Sequence, residues 1–489
     1  MTTQSALTES AARRRVLVAG WVTTAGLLLL AGLSWVGIVY RPTGLSGILL
    51  IVSVALPAVF YLRAVRAASQ VSARTILKFA ILFAAIGFFT LPFQSTDVFF
   101  YMAKGWQQAH YGSNPYAEGL RELAHHGNDP MIFTEWNALN KNSWLDLPLP
   151  YGFLFAALVR ILAHLGGGNW WLTLGLFNAM NSLAHAGTAY LVWRLSHMLK
   201  TGEPRRALLL YAWNPFVLAQ FIGDLHNDIL VGFFIVLAVY TLAAKRPEWT
   251  LTALVAGGLI KYAALALGPF AAIAILRMYG WRKLAVSMGW AAAATALIST
   301  PYLADAAAFK TQLIADQLTE SSRSFHAFVF GILKMAGITE ARYGGIVTPL
   351  SVGLQTLLWV AFAAFMAAEL WKSRTRRITL DRVVCQWSAS LAFLLFLASS
   401  QLYPWYIGMV LPLAVLGYRS WVSRAVVLAS TAHLFGFTGL KRIGYFLICT
   451  LLPFVITFLG AVRLKLLHAP ASCPARSRTM ESAESDYSA

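Results

Sequence analysis

Runs of about 20 mainly apolar residues recur along nearly the whole chain, and each is long enough to cross the hydrocarbon core of a bilayer as a helix. No soluble domain of any size fits between them. The chain is therefore expected to be all-α, a polytopic transmembrane helical bundle of about 13 to 14 spans, with polar and disordered tails at residues 1–15 and 468–489. A composition of 58% hydrophobic and 12% charged residues, with mean hydropathy +0.62, agrees with that class and not with an ordinary soluble domain.

The formal charge of +19, from 39 Lys and Arg against 20 Asp and Glu, would in a soluble protein suggest a nucleic-acid partner. Here the basic residues sit in short connections between apolar runs, a pattern that retains loops in the cytoplasm. No nucleic acid is expected. Cys385, Cys449 and Cys473 fall in two apolar spans and the C-terminal tail, with no spacing suited to zinc or to a disulfide framework. Arg13, Arg14 and Arg15 precede the run from Val16 to Tyr40, which is too long for a signal-peptide core and reads as an uncleaved first helix.

From a cytoplasmic N-terminus, spans at about 16–39, 45–62 and 75–92 leave Arg63, Arg66, Arg74 and Lys78 inside and Asp97 outside. Residues 93–150 then form a large external loop, broken by Gly112, Asn114, Pro115 and the Asn-Asp-Pro at 128–130. Nothing breaks a helix between Asp97 and His110, where Asp97, Tyr101 and Lys104 share a face and the aromatic residues suit the lipid interface. Two full passes between 151 and 195 would put Arg194, Lys200, Arg205 and Arg206 outside, so residues 151–165 are read as re-entrant and buried in protein. Later spans at about 206–222, 225–244, 249–261, 262–277 and 283–302 keep Lys245, Arg246, Arg277, Arg282 and Lys283 inside. A second external loop at 303–345 precedes the basic stretch Lys372 to Arg377, and three last spans end near residue 462.

Under this topology the unusual polar residues collect on the outer side. Asp97 follows Gln94, Ser95 and Thr96 and precedes Phe99, Phe100 and Tyr101, where an acid stays ionised and meets a water-borne substrate; the alternative is that it caps the helix beginning at Val98. The second cluster is Gly223-Asp224-Leu225-His226-Asn227-Asp228, between two apolar runs. Charged groups near the bilayer centre cost roughly 2.5 to 3.5 kcal/mol each, so these must face water or protein. If the segment is helical, Asp224 and Asp228 repel at i, i+4 unless His226, Lys261, a proton or a divalent ion lies between them; a polar turn that fixes two helices is the alternative. The third is Gln401-Leu402-Tyr403-Pro404-Trp405-Tyr406, either an interfacial aromatic belt or a surface that stacks on a sugar. Lys310, Arg323 and His326 in the second loop are candidate phosphate partners. No nucleotide-binding or metalloprotease motif is present, so an outward-facing site would need an activated substrate already in the membrane.

Asp97-Val98 followed by Tyr101, Gly105 and Gly112-Ser113-Asn114-Pro115-Tyr116 resembles the first-loop signature of bacterial polyprenol-phosphate-mannose-dependent mannosyltransferases of the GT-C superfamily. Pro150-Tyr151-Gly152, Trp213-Asn214-Pro215, the 223–228 cluster and Tyr403-Pro404-Trp405-Tyr406 follow in the family's order, with Phe153 where relatives usually carry proline. The resemblance implies a GT-C catalytic domain over residues 16–467 that moves mannose from a polyprenyl-phosphate donor to a hydroxyl of a glycan or glycolipid. The reaction would run at the extracytoplasmic face of a bacterial inner membrane, with inversion and Asp97 as general base. Lys261 and Arg323 would meet the leaving phosphate, and Tyr101, Asn114, Tyr116, Asp224, His226, Asp228, Gln401, Tyr403 and Trp405 would shape the pocket. No cofactor is implied, a divalent metal staying open. The rival reading is a secondary transporter whose cation site is Asp224, His226 and Asp228.

Overall fold

The computed structural model describes residues 3–36, 44–127, 129–133, 144–200, 202–305, 322–437 and 442–467. Lys310, Asn128, Cys473 and the tail from His468 lie outside them. Among the described residues the regular structure is helical and no strand forms, so the backbone groups of each helix are paired within it, as a membrane requires.

The first three helices are α1 (Thr3–Trp35), α2 (Gly44–Ala67) and α3 (Ala73–Phe88). Helix α1 starts at Thr3, where the sequence suggests a disordered tail: once the apolar run is helical, each added residue costs one set of dihedrals and gains one hydrogen bond. Ala12 and Val16 are buried on it. The chain continues through α4 (Asp97–His110), α5 (Phe153–Gly166), α6 (Trp170–Met198), α7 (Pro204–Ala212) and α8 (Asp228–Ala243). Then come α9 (Thr250–Gly258), α10 (Gly268–Tyr279), α11 (Trp281–Ser299), α12 (Phe325–Met335) and α13 (Glu340–Thr375). Helices α14 (Leu380–Phe393), α15 (Ile407–Leu416), α16 (Trp421–His433) and α17 (Leu452–Leu467) complete the bundle.

Seven stretches among the described residues are long and apolar enough to cross a membrane, and α5, α8, α12 and the helix ending at Leu416 are shorter apolar pieces. The outer surface carries Leu28, Ile81, Leu183, Leu297, Leu357 and Leu459 exposed, as a lipid-facing surface should. This is a multi-pass membrane protein. Small residues set the closest crossings, because only they let backbones touch. A Cβ on Gly232 of α8 would lie 2.6 Å from the Gly408 carbonyl of α15, and one on Gly105 of α4 would lie 2.3 Å from the Val159 carbonyl of α5.

That second crossing changes the reading of α4. Its aromatic face is covered by protein, not lipid: Phe99 stacks on Trp170 at 5.4 Å, and Tyr101 packs edge-on against Tyr151 and Phe155. Lys104 is fully buried and donates to the Glu118 carbonyl at 2.8 Å, tying the rest of the loop to α4. Helix α5, with 14 residues, rises about 21 Å, short of the ~30 Å core. One face of it, Phe155, Ala156, Val159 and Ala163, is buried against α4, while Ile161 and Leu165 are exposed.

Helix ends sort the polar residues. The ends of α3 and α9, the starts of α4 and α8, and the residues just before α15 meet at one end. At the other, Arg205 donates to the Ser69 carbonyl, the Lys200 amide to Asp381, and Lys283 to Glu248.

Candidate active site

Asp97 is the first residue of α4 and not its cap; Thr96 holds the cap position, without a side-chain cap bond. The Asp97 amide is met by the Ser95 hydroxyl at 3.2 Å, and its carboxylate Oδ2 lies 3.5 Å from His226 Nδ1. Burial pushes the Asp97 carboxyl above the ordinary carboxylate range, against the opposing influence of the Ser95 hydroxyl, the Lys261 charge and Tyr101.

The His226 side of this contact comes from an interruption between α7 and α8. After α7 the helix breaks at Trp213-Asn214-Pro215, where the Asn214 side chain accepts from the Phe216 amide, and resumes as a wide turn from Leu218 to Gly223. Leu225 then takes a left-handed conformation at φ 60°, a strained choice for a residue with a Cβ. The segment is therefore a polar turn, and Asp224 and Asp228 do not share a continuous helix. Their charges are met separately. Asp224 Oδ1 accepts from the backbone amides of Phe93 at 2.6 Å and Gln94 at 2.8 Å. Asp228, at the start of α8, receives Lys261 Nζ on both oxygens at 2.8 Å.

Lys261 reaches Asp228 because the chain is extended there, between the end of α9 and the 3-10 turn Tyr262–Leu267. Its ammonium lies over the rings of Tyr406 at 4.6 Å and Tyr151 at 5.3 Å, an arrangement that holds a cation without solvating it. The Tyr151 hydroxyl is 3.1 Å from that of Tyr101, one turn along α4 from Asp97.

The third sequence cluster closes the site. Trp405 stacks on His226 with centroids 3.8 Å apart and planes 13° from parallel, and Tyr403 stacks on Trp405 at 5.0 Å. Gln401 bridges through its backbone to Ser322 and Arg323. Arg323, itself left-handed at φ 56°, lies over the Tyr445 ring at 5.1 Å, whose hydroxyl meets His433 Nδ1 at 2.6 Å. The structure thus brings Asp97, Tyr101, His226, Asp228, Lys261, Tyr403 and Trp405 together. Arg323 joins them only through Gln401. Asn114 and Tyr116 stand behind the site: the Asn114 side chain accepts from the Tyr116 amide, and the buried Tyr116 hydroxyl donates to the Tyr151 carbonyl at 2.9 Å. His326 turns away, its Nε2 meeting the Ser351 hydroxyl at 3.1 Å.

Tyr151, Tyr406, Asn178 and Asn181 belong to the site and were not singled out as site residues from the sequence. Asn181 of α6 donates to the carbonyls of Phe221 and His226, and Asn178 to those of Phe88 and Ile222. Two amides three residues apart on the buried face of a long helix are a signal of this kind, since polar groups there need partners. Among the described residues no three His, Cys, Asp or Glu side chains come together to hold a metal ion.

No curated protein matches the sequence. A family model described as alpha-(1->6)-mannopyranosyltransferase, N-terminal domain, matches residues 12–277. That range covers more than half of the 489 residues and contains Asp97, Tyr101, Asp224, His226, Asp228 and Lys261. A membrane bundle whose acids, imidazole and buried lysine converge inside the matched segment therefore belongs to the alpha-(1->6)-mannopyranosyltransferase family, as a glycosyltransferase that transfers mannose.

Proposed function

We propose that the chain moves mannose from a polyprenyl-phosphate donor to a primary hydroxyl of a glycan or glycolipid, in a single inverting displacement with Asp97 as general base and without a metal. One observation carries the choice of base. Of the three clustered acids, Asp228 has both oxygens on Lys261 and Asp224 is held by backbone amides, and both are fully buried; the Asp97 side chain keeps 12% exposure and faces only an imidazole within ion-pair range. It is the acid left available to an entering hydroxyl.

In this reaction the acceptor oxygen attacks the anomeric carbon as its proton passes to Asp97. The bond from that carbon to the phosphate oxygen breaks, and the lipid phosphate leaves with the electron pair. A β-linked donor gives the α product the family's description names. A positioned base contributes roughly 10²- to 10⁴-fold. The leaving phosphate needs positive charge more than a strong acid, and Lys261, held over two tyrosine rings, supplies it; Arg323, whose backbone pairs with Gln401 and whose guanidinium lies over Tyr445, is the second candidate cation. Tyr403, at the end of the His226–Trp405–Tyr403 stack, offers an aromatic wall to the sugar. The basic connections at the opposite end of the bundle favour an outward, extracytoplasmic site in a bacterial inner membrane, and the superfamily is GT-C.

The test is transfer of labelled mannose from synthetic polyprenyl-phosphate-mannose to a membrane glycolipid extract, by wild type and Asp97→Asn, with and without chelator. Loss of about 10²-fold or more in folded Asp97→Asn, with the chelator lane unchanged, is expected. Equal transfer by both proteins would remove Asp97 as base, loss of activity in the chelator lane would remove the metal-free mechanism, and uptake without transfer would return the transporter.

A further inference from the structure

Asp224 is a fully buried carboxylate whose hydrogen bonds run to backbone amides, not to the side chains gathered around Asp97. Its Oδ1 takes the amides of Phe93 and Gln94 at 2.6 and 2.8 Å, four and three residues before Asp97. Both amides lie in the loop between α3 and α4, outside either helix's hydrogen-bond ladder, and a carboxylate that takes two of them at once is a strong tether. The same turn carries His226, whose Nδ1 stands 3.5 Å from Asp97. Two further contacts fix this turn to the exit of α3: the Gln220 side-chain amide donates to Gln94 Oε1 at 2.5 Å, and Asn178 bridges the Phe88 and Ile222 carbonyls.

We propose that Asp224 is a positioning residue for the transfer reaction: by clamping the Phe93 and Gln94 amides it holds the Ser95–Asp97 turn at a fixed distance from His226, and it binds neither sugar nor phosphate. This rests on the proposed reaction for its kinetic consequence, but the clamp itself is a property of the folded chain. Displacing a catalytic group by about 1 Å costs on the order of 10²-fold in rate, so the clamp controls kcat and leaves substrate affinity alone. Asp224 Oδ2 has no partner at hydrogen-bond distance, although the Ser95 amide also favours the carboxylate. An Asn side chain can therefore put its amide nitrogen there and keep its oxygen on the two amides, whereas Ala removes the acceptor.

The experiment uses the full chain in nanodiscs, comparing wild type, Asp224→Ala and Asp224→Asn. Hydrogen exchange of a peptide spanning residues 90–97 reads the clamp directly, and steady-state transfer from synthetic polyprenyl-phosphate-mannose reads its effect. In Asp224→Ala the two amides exchange at least about tenfold faster, and kcat falls about 10²-fold with both KM values within about twofold. Asp224→Asn stays within about fivefold of wild type in both. The proposal is overturned if Asp224→Asn loses kcat as far as Asp224→Ala, if either KM rises with kcat unchanged, or if exchange in Asp224→Ala matches wild type. Should Asp224→Ala fail to give a monodisperse protein, Asp224→Leu, which fills a similar volume without an acceptor, takes its place on the same criteria. If wild type transfers nothing from this donor, the reading of the reaction has failed, and exchange alone decides the clamp.

Discussion

The two ends of this bundle carry charge in opposite ways. At the basic end each ion pair has at least one exposed or half-exposed partner: Arg206 with Glu203 at 28% and 36%, Lys283 with Glu248 at 51% and 14%, Lys372 with Glu369 at 47% and 20%. At the site itself the Lys261–Asp228 pair is 13% and 0% exposed and the Asp97–His226 contact 12% and 0%, while the Arg121–Asp146 pair of the 93–150 loop is 49% and 53% exposed. Exposed pairs contribute about 0 to 1 kcal/mol each. A buried charge, by contrast, is tolerable only with a committed partner, and losing one partner costs about 3 to 5 kcal/mol. The same fold therefore uses charge for orientation in the membrane at one end and for placing reactive groups at the other.

The sharpest way to break that contrast is to strip Lys261 of its charge. Lys261→Met leaves the Asp228 carboxylate buried between α8 and α9 with nothing on either oxygen, and should lower unfolding stability by about 3 to 5 kcal/mol. Combining it with Asp228→Asn should restore much of the loss without restoring transfer. Thermal melting of the purified proteins decides this; an unchanged melting point for the single variant would mean the pair is not a structural partner at all.

Asp97 differs from its neighbours in having no cation committed to it, and pH exposes the difference. The base must be ionised, so kcat/KM should rise with pH and level off above a midpoint displaced upward from the ordinary carboxylate value of about 4, because burial raises its pKa. Below that midpoint the rate should fall about tenfold per pH unit. The sign for stability is opposite. A carboxyl whose folded pKa is raised binds its proton more tightly in the native state, so stability declines as pH rises from the unfolded value through the folded one. Asp97→Asn should therefore melt slightly higher than wild type at neutral pH while transferring far less mannose, a trade expected of catalytic groups. A lower melting point would make Asp97 a structural residue.

Much of this arrangement could be read from the residues. Apolar runs announced the helical bundle, and Asp97, Asp224, His226, Asp228 and Lys261 stood out because charge is expensive beside lipid. What was not legible was the pairing. Asp224 meets amides some 130 positions earlier in the chain, at Phe93 and Gln94, and no local pattern encodes a contact of that separation. Leu225 supplies a left-handed turn without the glycine that would signal it, which is why the residues alone leave a helix and a polar turn both open for Asp224 to Asp228. The aromatic face of α4 likewise reads the same whether lipid or protein covers it; only the close approach at Gly105 shows that α5 does.

The smallest effect belongs to the basic end, and it is the control for the rest. Arg376 and Arg377 follow α13 in the connection to α14 and are exposed, with no ion pair to either among the described residues. Replacing both by Gln removes two positive charges, twice the charge removed by Lys261→Met, yet each guanidinium is already solvated and leaves no unpaired acid behind. Stability should stay within about 0.5 kcal/mol, and transfer at saturating donor within about twofold. Measured beside Lys261→Met under the same conditions, the pair separates burial from charge as the cause. If the double Gln variant lost as much as Lys261→Met, net charge of the chain would govern its behaviour, and the distinction between the two ends would have to be given up.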